Sequence, residues 1–361
     1  MMPLFTTIMQ FNIPFRKALK LFQTYVEPIL LYNAENFTTL TERQIERYRN
    51  GTLSIYDLAT SAHITTTQLK FTKFILGVGK QSPNMAVLGE AATIPLHMRA
   101  QICMLKYWDR IRNMEDNVLV KLAYKENLES NSLWCKSIQA FNTAYQLHTR
   151  NWTQAEFPIE VKKTLTTDFI EHWRNRIDDR NVEKKLQLYS KVKERFLIGK
   201  YLDIPTFRER QIISKFMCSN HTLRIETGRH NMTPREDRRC QLCQLDEVED
   251  EDHFIMKCPA YTEIRQQSPI TFQNYTNTEA IFHLEEPLEI AKFLRNAYTL
   301  RDQLTVHDTY RIKAKSNDGL KLLLCKGKDT PGRLRTQNIT KDGLRLKIFR
   351  TSSSSRSALG N

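Results

Sequence analysis

The sequence predicts a mainly α-helical protein, in which a helical, bundle-like body is followed by a small Cys3His module and a disordered C-terminal tail. Apolar residues recur at helical spacing along most of the chain, and the alternation typical of β-strands is nearly absent. Three cysteines and one histidine also cluster within nineteen residues late in the sequence. The 361 residues are enough for two or three domains, each able to bury a core.

The predicted helices follow the spacing of apolar residues and the positions of proline and glycine. The first helix covers 16–32, and Pro28 should kink or end it. A second helix over 64–77 should stop at Gly77, and a proline should occupy the first turn of a third over 95–114. The buried face of the first helix should comprise Leu19, Phe22, Val26, Ile29 and Leu30. Further helices are expected at 118–128, 133–148, 159–177, 183–198 and 205–218.

Aromatic residues recur on these predicted helices and permit two interpretations. Aromatic rings can stack on nucleic-acid bases, but here their spacing follows the apolar stripe, which favours packing in a protein core. The residues concerned are Tyr107, Trp108, Trp134, Phe141, Trp173 and Tyr189.

The net charge of +14 is distributed unevenly along the chain. Residues 305–361 contain 13 Lys and Arg against 4 Asp and Glu, so +9 of the +14 lies in this segment. The segment is also rich in Gly, Ser and Asn and has no sustained apolar face, which predicts a disordered tail. A basic balance is compatible with a nucleic-acid partner, although the residues before the tail are not strongly polycationic.

Composition argues against several classes of protein. No window of eighteen apolar residues is present, so no membrane partner is expected, and the N-terminus lacks the basic region and cleavage site of a signal peptide. Seven cysteines are an odd number and are spread too thinly for a secreted disulfide scaffold. These features predict an intracellular protein, nuclear or cytoplasmic.

The clustered cysteines and histidine form a ligand set for a metal ion. Cys240 and Cys243 are a Cys-x2-Cys pair, and His253 and Cys258 complete the spacing Cys-x2-Cys-x9-His-x4-Cys. Three thiolates and one imidazole fill a tetrahedral shell, which predicts one structural zinc ion rather than an iron–sulfur cluster. A closed shell leaves no position for a reactive water, so hydrolysis by this zinc is not expected.

An acidic run separates the two ligand pairs, and basic residues precede it. Six of the seven residues from Asp246 to Asp252 are acidic, which predicts a solvated loop that faces away from nucleic acid. Acids also suit the positive N-terminal end of a helix or turn that begins near His253. The upstream basic residues should contact phosphates, and Arg238 and Arg239 should in addition offset the negative charge of the zinc shell. The candidates for phosphate contact are Arg224, Arg229, His230, Arg235, Arg238 and Arg239.

Five segments of the sequence resemble segments of one known family, and they occur in the same order as in that family. They are YVEPILLYNAE at 25–35 and the segments 70–111, 185–202, 223–265 and 291–304. In this order they resemble the C-terminal part of the polyprotein of LINE-like, non-LTR retrotransposons. The first block is similar to the thumb region of the reverse transcriptase, and the last is similar to the closing helix of the family.

The resemblance implies a domain organisation for the whole chain. The expected parts are an irregular N-terminus at 1–15, a thumb-like helical region at 16–150, a helical connector at 151–222, a zinc-binding C-terminal domain at 223–304 and the tail at 305–361.

The same resemblance bears on activity. In the family this region would help to hold template RNA and target DNA, while the polymerase palm carries metal-binding carboxylates partly in a Tyr-x-Asp-Asp segment. This sequence has no such segment, since Asp178 and Asp179 lie in helical, basic surroundings, and no endonuclease domain is recognisable. The stretch 36–63 and the tail also depart from the pattern of the family. The expectation is therefore a fragment of a reverse transcriptase that binds RNA or DNA and is not itself an enzyme.

Two alternatives stay open from the sequence. The chain could be a zinc-stapled protein-interaction module, or a translated retroelement relic, without a nucleic-acid function. It could also belong to an active polymerase whose palm is encoded upstream of Met1. An in-frame Tyr-x-Asp-Asp segment in the preceding genomic sequence would identify the second case.

Overall fold

The computed structural model describes residue 8 and residues 11–150, 152–179, 181 and 185–315, with the backbone alone described at 149 and 306–315. Over these residues the chain is mainly helical and no β-strand forms, which confirms the predicted fold class. Most of the predicted irregular N-terminus, and the predicted disordered tail beyond residue 315, lie outside the described residues.

The helices follow one another through short connections. In chain order the described α-helices are α1 Phe15–Leu21, α2 Glu27–Leu30, α3 Ala34–Phe37, α4 Glu42–Arg49, α5 Ile55–Ser61, α6 His63–Leu76, α7 Asn84–Ala91, α8 Leu96–Arg112, α9 Leu119–Glu129, α10 Leu133–Ala144, α11 Phe157–Asp178, α12 Gln187–Val192, α13 Phe207–Met217, α14 Arg224–His230, α15 Thr262–Gln267, α16 Thr278–Leu284 and α17 Pro287–Lys315. The π-helical turns are Phe22–Val26 and His253–Lys257, and the 3-10 turns are Leu147–Thr149, Lys200–Asp203, Arg235–Asp237, Pro259–Tyr261 and Phe272–Asn274.

The first predicted helix is interrupted by a π-helical turn. Phe22–Val26 separates α1 from α2, and Pro28 occupies the first turn of α2, where its missing N–H is not needed. The extra residue of a π-turn rotates the side chains that follow by about 100° relative to those before it. Leu19 and Phe22 are therefore buried as predicted, whereas Ile29 is 74% exposed, so its predicted burial is wrong.

The predicted glycine stop of α6 is confirmed. Gly77 has φ +70°, in the left-handed region that side chains disfavour. A Cβ atom at this position would lie 2.7 Å from Gln211 and 2.9 Å from Phe207 of α13. Backbone conformation and close packing therefore both require glycine where the sequence predicts the end of the helix.

The aromatic residues of the helical body pack in its core, as their spacing predicts. Phe141, Trp173 and Tyr189 are buried. Trp108 and Trp134 are partly buried and pack against the same core. Because the rings of Phe141, Trp173 and Tyr189 fill the interior, they are not available as a platform for stacking on bases.

Several short helices, α3, α4, α5 and α7, are missing from the sequence prediction. α4 begins with a capping box, in which Thr41 Oγ1 accepts from the backbone N of Gln44 and Gln44 Oε1 accepts from the backbone N of Thr41. The pattern T-E-R-Q at 41–44 is a recognisable signal for this helix start. Much of the stretch 36–63, which departs from the pattern of the family, is therefore helical.

One predicted helix is much shorter than expected. In place of 183–198, α12 covers Gln187–Val192, and the chain leaves the helix at Lys193. Lys193 Nζ pairs with the buried carboxylate of Glu90 at 3.1 Å and donates to the Leu197 carbonyl at 2.6 Å. A buried charge needs its partners, and here that requirement overrides the helical pattern of the sequence.

The Cys3His module packs on two helices through one aromatic side chain. Phe254 is fully buried and lies against Phe216 of α13 and Tyr298 of α17, with ring centroids 6.3 and 4.9 Å away. The predicted closing helix at 291–304 is contained in α17, which begins at Pro287 and extends to Lys315. The module is therefore attached to the last helix of the described chain.

The described residues up to Tyr310 form one compact unit. Of a second unit, Arg311–Asn361, only the helical backbone of 311–315 is described. The predicted domain boundaries at 150 and 222 stay predictions. Of the helices that the structure describes, none combines the length and the apolar character needed to cross a membrane.

Candidate metal centre

A short hairpin presents the first two cysteines. The backbone N of Cys240 donates to the Glu247 carbonyl at 2.8 Å. Arg239 and Val248 form an antiparallel bridge next to it. The chain therefore returns on itself, and the loop between these residues carries Cys243, so the Cys-x2-Cys pair lies on a turn as its spacing predicts.

A π-helical turn and a proline place the other two ligand candidates. Residues five apart on an α-helix point about 140° away from each other. Here the backbone N of Cys258 donates to the His253 carbonyl at 2.8 Å, which is the wider hydrogen bond of a π-turn. Pro259 disfavours a helical conformation in the residue before it, and Cys258 accordingly leaves the turn with φ −59° and ψ 120°.

The four predicted ligands converge on one point. One donor atom each from Cys240, Cys243, His253 and Cys258 lies within 4.8 Å of the other three. Cys240 Sγ is 3.9 Å from Cys258 Sγ, and Cys243 Sγ is 3.4 Å from His253 Nε2. A tetrahedral ion with bonds of about 2.3 Å to sulfur and about 2.0 Å to nitrogen requires separations of about 3.8 and about 3.5 Å. The group therefore fits a single tetrahedral metal ion.

A carboxylate orients the histidine of the group. His253 Nδ1 lies 3.0 Å from Glu247 Oε2, and the imidazole is buried. If Nδ1 carries the proton and donates to this carboxylate, the lone pair of Nε2 is directed at the sulfurs. Glu247 was not singled out by the sequence, because the acidic residues around it conceal its particular position.

Arg265 stabilises the turn that carries His253 and Cys258. Arg265 Nη2 donates to the Cys258 carbonyl at 2.6 Å, and its Nη1 donates to the Ile255 carbonyl at 3.3 Å. The sequence predicts a supporting role beside the zinc shell for Arg238 and Arg239, but not for Arg265. The only sequence signal for Arg265 is its place at the end of the block 223–265.

Hydrogen bonds within the group shift the pKa values of Cys240, Cys258 and His253. The hydrogen bond with Cys258 and burial raise the pKa of Cys240 to about 12, and the same hydrogen bond lowers the pKa of Cys258. Burial lowers the pKa of His253, but hydrogen bonds to Cys240 and Glu247 outweigh it and raise that pKa to about 9. A metal ion must displace these protons, because thiolates and a neutral imidazole are its ligands.

Acidic residues of the run Asp246–Asp252 make specific contacts instead of forming a solvated loop. Glu249 is 1% exposed and binds Arg301 of α17 through both carboxylate oxygens, at 3.0 and 2.8 Å. Asp252 Oδ1 accepts from Thr278 Oγ1, at the start of α16, at 3.1 Å. The predicted solvated loop is wrong for these residues, because partners distant in sequence engage them.

Asp250 and Glu251, which lie between Glu249 and Asp252, also bind other residues. Asp250 Oδ1 accepts from the backbone N of His253 at 3.0 Å, which confirms that acids favour the start of this turn. The other oxygen of Asp250 lies 3.3 Å from Arg235, and Glu251 binds His221 at 3.1 Å. The acidic run therefore contacts several other segments of the protein around the module.

Three of the predicted phosphate-contacting residues lie on α14. The backbone N of Arg224 donates to Glu249 Oε2 at 2.8 Å, and Arg229 Nε donates to Glu226 at 2.9 Å. His230 is exposed at the end of the helix. Their predicted contact with nucleic acid stays a prediction.

Arg238 has a structural role in the fold. Its Nε and Nη2 donate to the Thr233 carbonyl at 2.9 and 2.7 Å, and its Nη1 donates to the Ile225 carbonyl at 2.9 Å. A Cβ atom at Gly228 would lie 2.7 Å from the Cγ of this arginine. Arg238 therefore ties α14 to the hairpin that carries the cysteines.

Arg235 and Arg239 are the more accessible arginines of the set. Arg235 pairs with Asp250 at 3.3 Å, and its side chain is 45% exposed. Arg239 pairs with Asp246, and its side chain is 46% exposed. Both could exchange a surface ion pair for a phosphate, so they are the best-placed members of the predicted set.

The chain was compared with protein-family models, with curated proteins and with solved structures, and no match was found. The geometry of the Cys3His group, together with the sequence, therefore carries the functional assignment.

Proposed function

We propose that Cys240, Cys243, His253 and Cys258 hold one structural zinc ion, and that the zinc module belongs to the RNA- or DNA-binding C-terminal region of a LINE-like reverse transcriptase. The observation that carries the metal assignment is the convergence of the four donor atoms to within 4.8 Å of one another. The retrotransposon origin and the nucleic-acid partner are supported by the ordered sequence blocks and by the net charge of +14.

The chemistry of the donors favours zinc over other metals. Thiolates are soft ligands, which Mg2+ and Ca2+ avoid, and the separations suit one ion with tetrahedral coordination. Four protein donors leave no position for a substrate or an activated water, so the zinc would stabilise structure. The test is metal analysis of the purified chain, where one zinc per molecule is expected, and a chain that folds identically without metal would contradict the assignment.

The nucleic-acid part of the proposal is supported by the exposed members of the basic set. The ion pairs of Arg235 and Arg239 lie at the surface, where such pairs contribute at most about 1 kcal/mol in water. A phosphate could therefore replace the carboxylate without a large loss. His230 is exposed on the same stretch of chain and adds a further donor.

A second candidate function is a protein-interaction module without a nucleic-acid role. It is favoured by a specific observation, namely that Arg238 is committed to backbone carbonyls and that Arg235 and Arg239 already have carboxylate partners. In this case the zinc would only stabilise a small module, and the basic residues would balance the acidic run.

Binding to single-stranded and duplex RNA and DNA across a salt series distinguishes the two functions. Replacing Arg235 and Arg239 together by Gln should lower the slope of log affinity against log salt by about 2, because two phosphate contacts are lost. The matched control replaces the exposed Lys162 and Lys163 of α11 by Gln, and should leave the slope unchanged. An unaltered slope in the arginine variant would favour the interaction module.

No polymerase or nuclease activity is assigned to this chain. The reason is the lack of a Tyr-x-Asp-Asp segment and of any recognisable endonuclease domain in its sequence. A template–primer extension assay with Mg2+ and nucleotides should give no product, and extension by the purified chain would overturn this part of the proposal.

A further inference from the structure

We propose that metal bound at the Cys3His centre holds α17 in place, so that metal occupancy and the docking of this last helix are thermodynamically coupled. The inference rests on the proposed zinc site and adds a regulatory consequence to it. Loss of the ion would release the helix that leads into the basic segment 305–361, and undocking of the helix would weaken the metal site.

The first connection is the buried ion pair between Glu249 and Arg301. The two side chains are only 2% and 11% exposed, and the contact is bidentate at 3.0 and 2.8 Å. Glu249 lies between the ligand candidates Cys243 and His253 in the sequence, and its backbone N donates to the Arg238 carbonyl in the hairpin at 2.9 Å. The position of this carboxylate therefore depends on the loop that the metal would close.

The second connection is aromatic and lies on the same stripe of α17. Phe254, the residue after His253, is fully buried and has its ring centroid 4.9 Å from that of Tyr298. Tyr298 and Arg301 are three residues apart, so they project from neighbouring positions on one face of the helix. One ligand-bearing segment thus contacts one face of α17 by an ion pair and by ring packing.

A third connection reaches the neighbouring helix. Asp252 accepts hydrogen bonds from Thr278 through both its Oγ1, at 3.1 Å, and its backbone N, at 3.4 Å. Thr278 is the first residue of α16, which precedes α17 in the chain. Both C-terminal helices are therefore held by side chains that adjoin the histidine ligand or lie between the ligand pairs.

The loop that carries Cys243 is largely exposed, in contrast to the well-contacted residues 249–258. Gln241, Gln244 and Leu245 in the cysteine loop are exposed, and Leu242 and Cys243 are only partly buried. A buried ion pair is favourable only when both partners are held in the right geometry. Without the ion, the loop would lose that geometry, and the contacts to α16 and α17 would weaken with it.

Hydrogen exchange of the full chain, with zinc bound and after chelation, tests the coupling directly. Backbone amides of 290–304 should exchange at least about tenfold faster after zinc is removed, whereas those of α11 should be unchanged. If 238–258 loses protection while 290–304 keeps it, the coupling is overturned and the zinc site stands. If the purified chain binds no zinc, metal analysis shows that the proposed zinc site, and the coupling with it, both fail.

A pair of variants on one helix tests the reverse direction. Arg301→Ala should weaken zinc affinity about tenfold in competition with a chelating dye, because coupling is reciprocal. The matched control is Arg295→Ala on the same helix, which removes the ion pair of an exposed arginine with Glu209 of α13 and should leave zinc affinity unchanged. Equal affinities in the two variants would overturn the coupling. If Arg301→Ala does not fold, the exchange measurement on the unaltered chain decides the question.

Discussion

The helical body and the Cys3His module bury their side chains by different means. In the body, large apolar groups fill the interior, as in the stacked pair Phe22 and Phe71, whose ring centroids are 4.5 Å apart, and at the buried Trp173. In the module, Phe254 is the one aromatic ring of Phe, Tyr or Trp type within 238–258, and it is fully buried. The other buried contacts of the module are mainly hydrogen bonds and ion pairs, foremost that between the Glu249 carboxylate and Arg301 at 3.0 and 2.8 Å.

This difference predicts different sensitivities for the two regions. Apolar burial is spread over many contacts and scales with area, so the body should respond mainly to lost volume and to the protonation of buried groups. The module has a few buried charged contacts and the proposed metal site, so it should respond to metal, to the removal of a single ligand candidate and to the loss of a partner charge. Four measurements test this contrast.

Loss of the metal should have the largest effect, and it should be confined to the module and the helices it contacts. Cys258→Ser removes a ligand, and zinc bound in small structural sites contributes about 10–16 kcal/mol at neutral pH. Metal analysis should give less than a tenth of a zinc per chain, with most helical circular dichroism retained. The control Cys135→Ser changes a buried thiol in α10 and should keep one zinc. Full zinc retention by Cys258→Ser would refute the ligand assignment.

Removing the largest buried side chain of the body should have the next largest effect. Trp173 is 1% exposed, and its Nε1 donates to the Met85 carbonyl at 3.0 Å. Trp173→Ala leaves a cavity and removes this hydrogen bond, so the free energy of unfolding should fall by about 3–5 kcal/mol in denaturant titrations. The folded fraction should still bind zinc. A loss below about 1 kcal/mol would show that this side chain does not organise the core.

Acid should destabilise the body through the partly buried His97. Burial lowers the pKa of His97 from 6.5 to about 4. The folded state therefore disfavours the proton, and this contribution to stability is complete above pH 6.5 and lost as the pH falls towards 4. The difference in unfolding free energy between the unaltered chain and His97→Gln should change by about 3 kcal/mol between pH 7 and pH 4. A difference that stays the same between pH 7 and pH 4 would contradict this role of His97.

The smallest of the four effects concerns the orientation of the histidine ligand. Glu247→Gln keeps the size of the side chain but weakens the acceptor for His253 Nδ1, now at 3.0 Å. Loss of such a carboxylate typically weakens metal affinity about 10-fold or more, which competition with a chelating dye can measure. Asp246→Asn, next in the sequence and paired with Arg239 at the surface, should leave affinity unchanged. Equal affinities would mean that packing alone holds the imidazole.

Long periodic segments and local end signals made most of the fold predictable. The spacing of apolar residues located α8, α11 and α13 within a few residues, and Gly77 marked the end of α6 because only its backbone adopts φ +70° without strain. Short helices such as α4 are not predicted, because a few residues show no clear hydrophobic period. The capping box of α4 is nevertheless recognisable in the sequence. The π-turn at Phe22–Val26 is not predicted, because one additional residue in a turn does not change the residue types of the segment.

The supporting residues of the candidate site could not be predicted in the same way. Glu247 and Arg265 lie near the ligands in the sequence, but nothing in their residue type distinguishes them from neighbouring charges. The prediction of a solvated loop at Asp246–Asp252 is wrong for a related reason. Its residues look alike as a string, yet Glu249 is buried and Asp246 is 72% exposed.

By itself the sequence determined the helical class of this protein and its four ligand candidates. Both follow from local rules, since apolar spacing dictates a helix and a short turn brings the Cys-x2-Cys pair to one centre, with His253 and Cys258 close behind. Only the tertiary structure decided the partners of the acids. Glu249 meets Arg301 across 52 residues and Asp252 meets Thr278 across 26, and no local pattern encodes which distant side chain packing will bring to a charge.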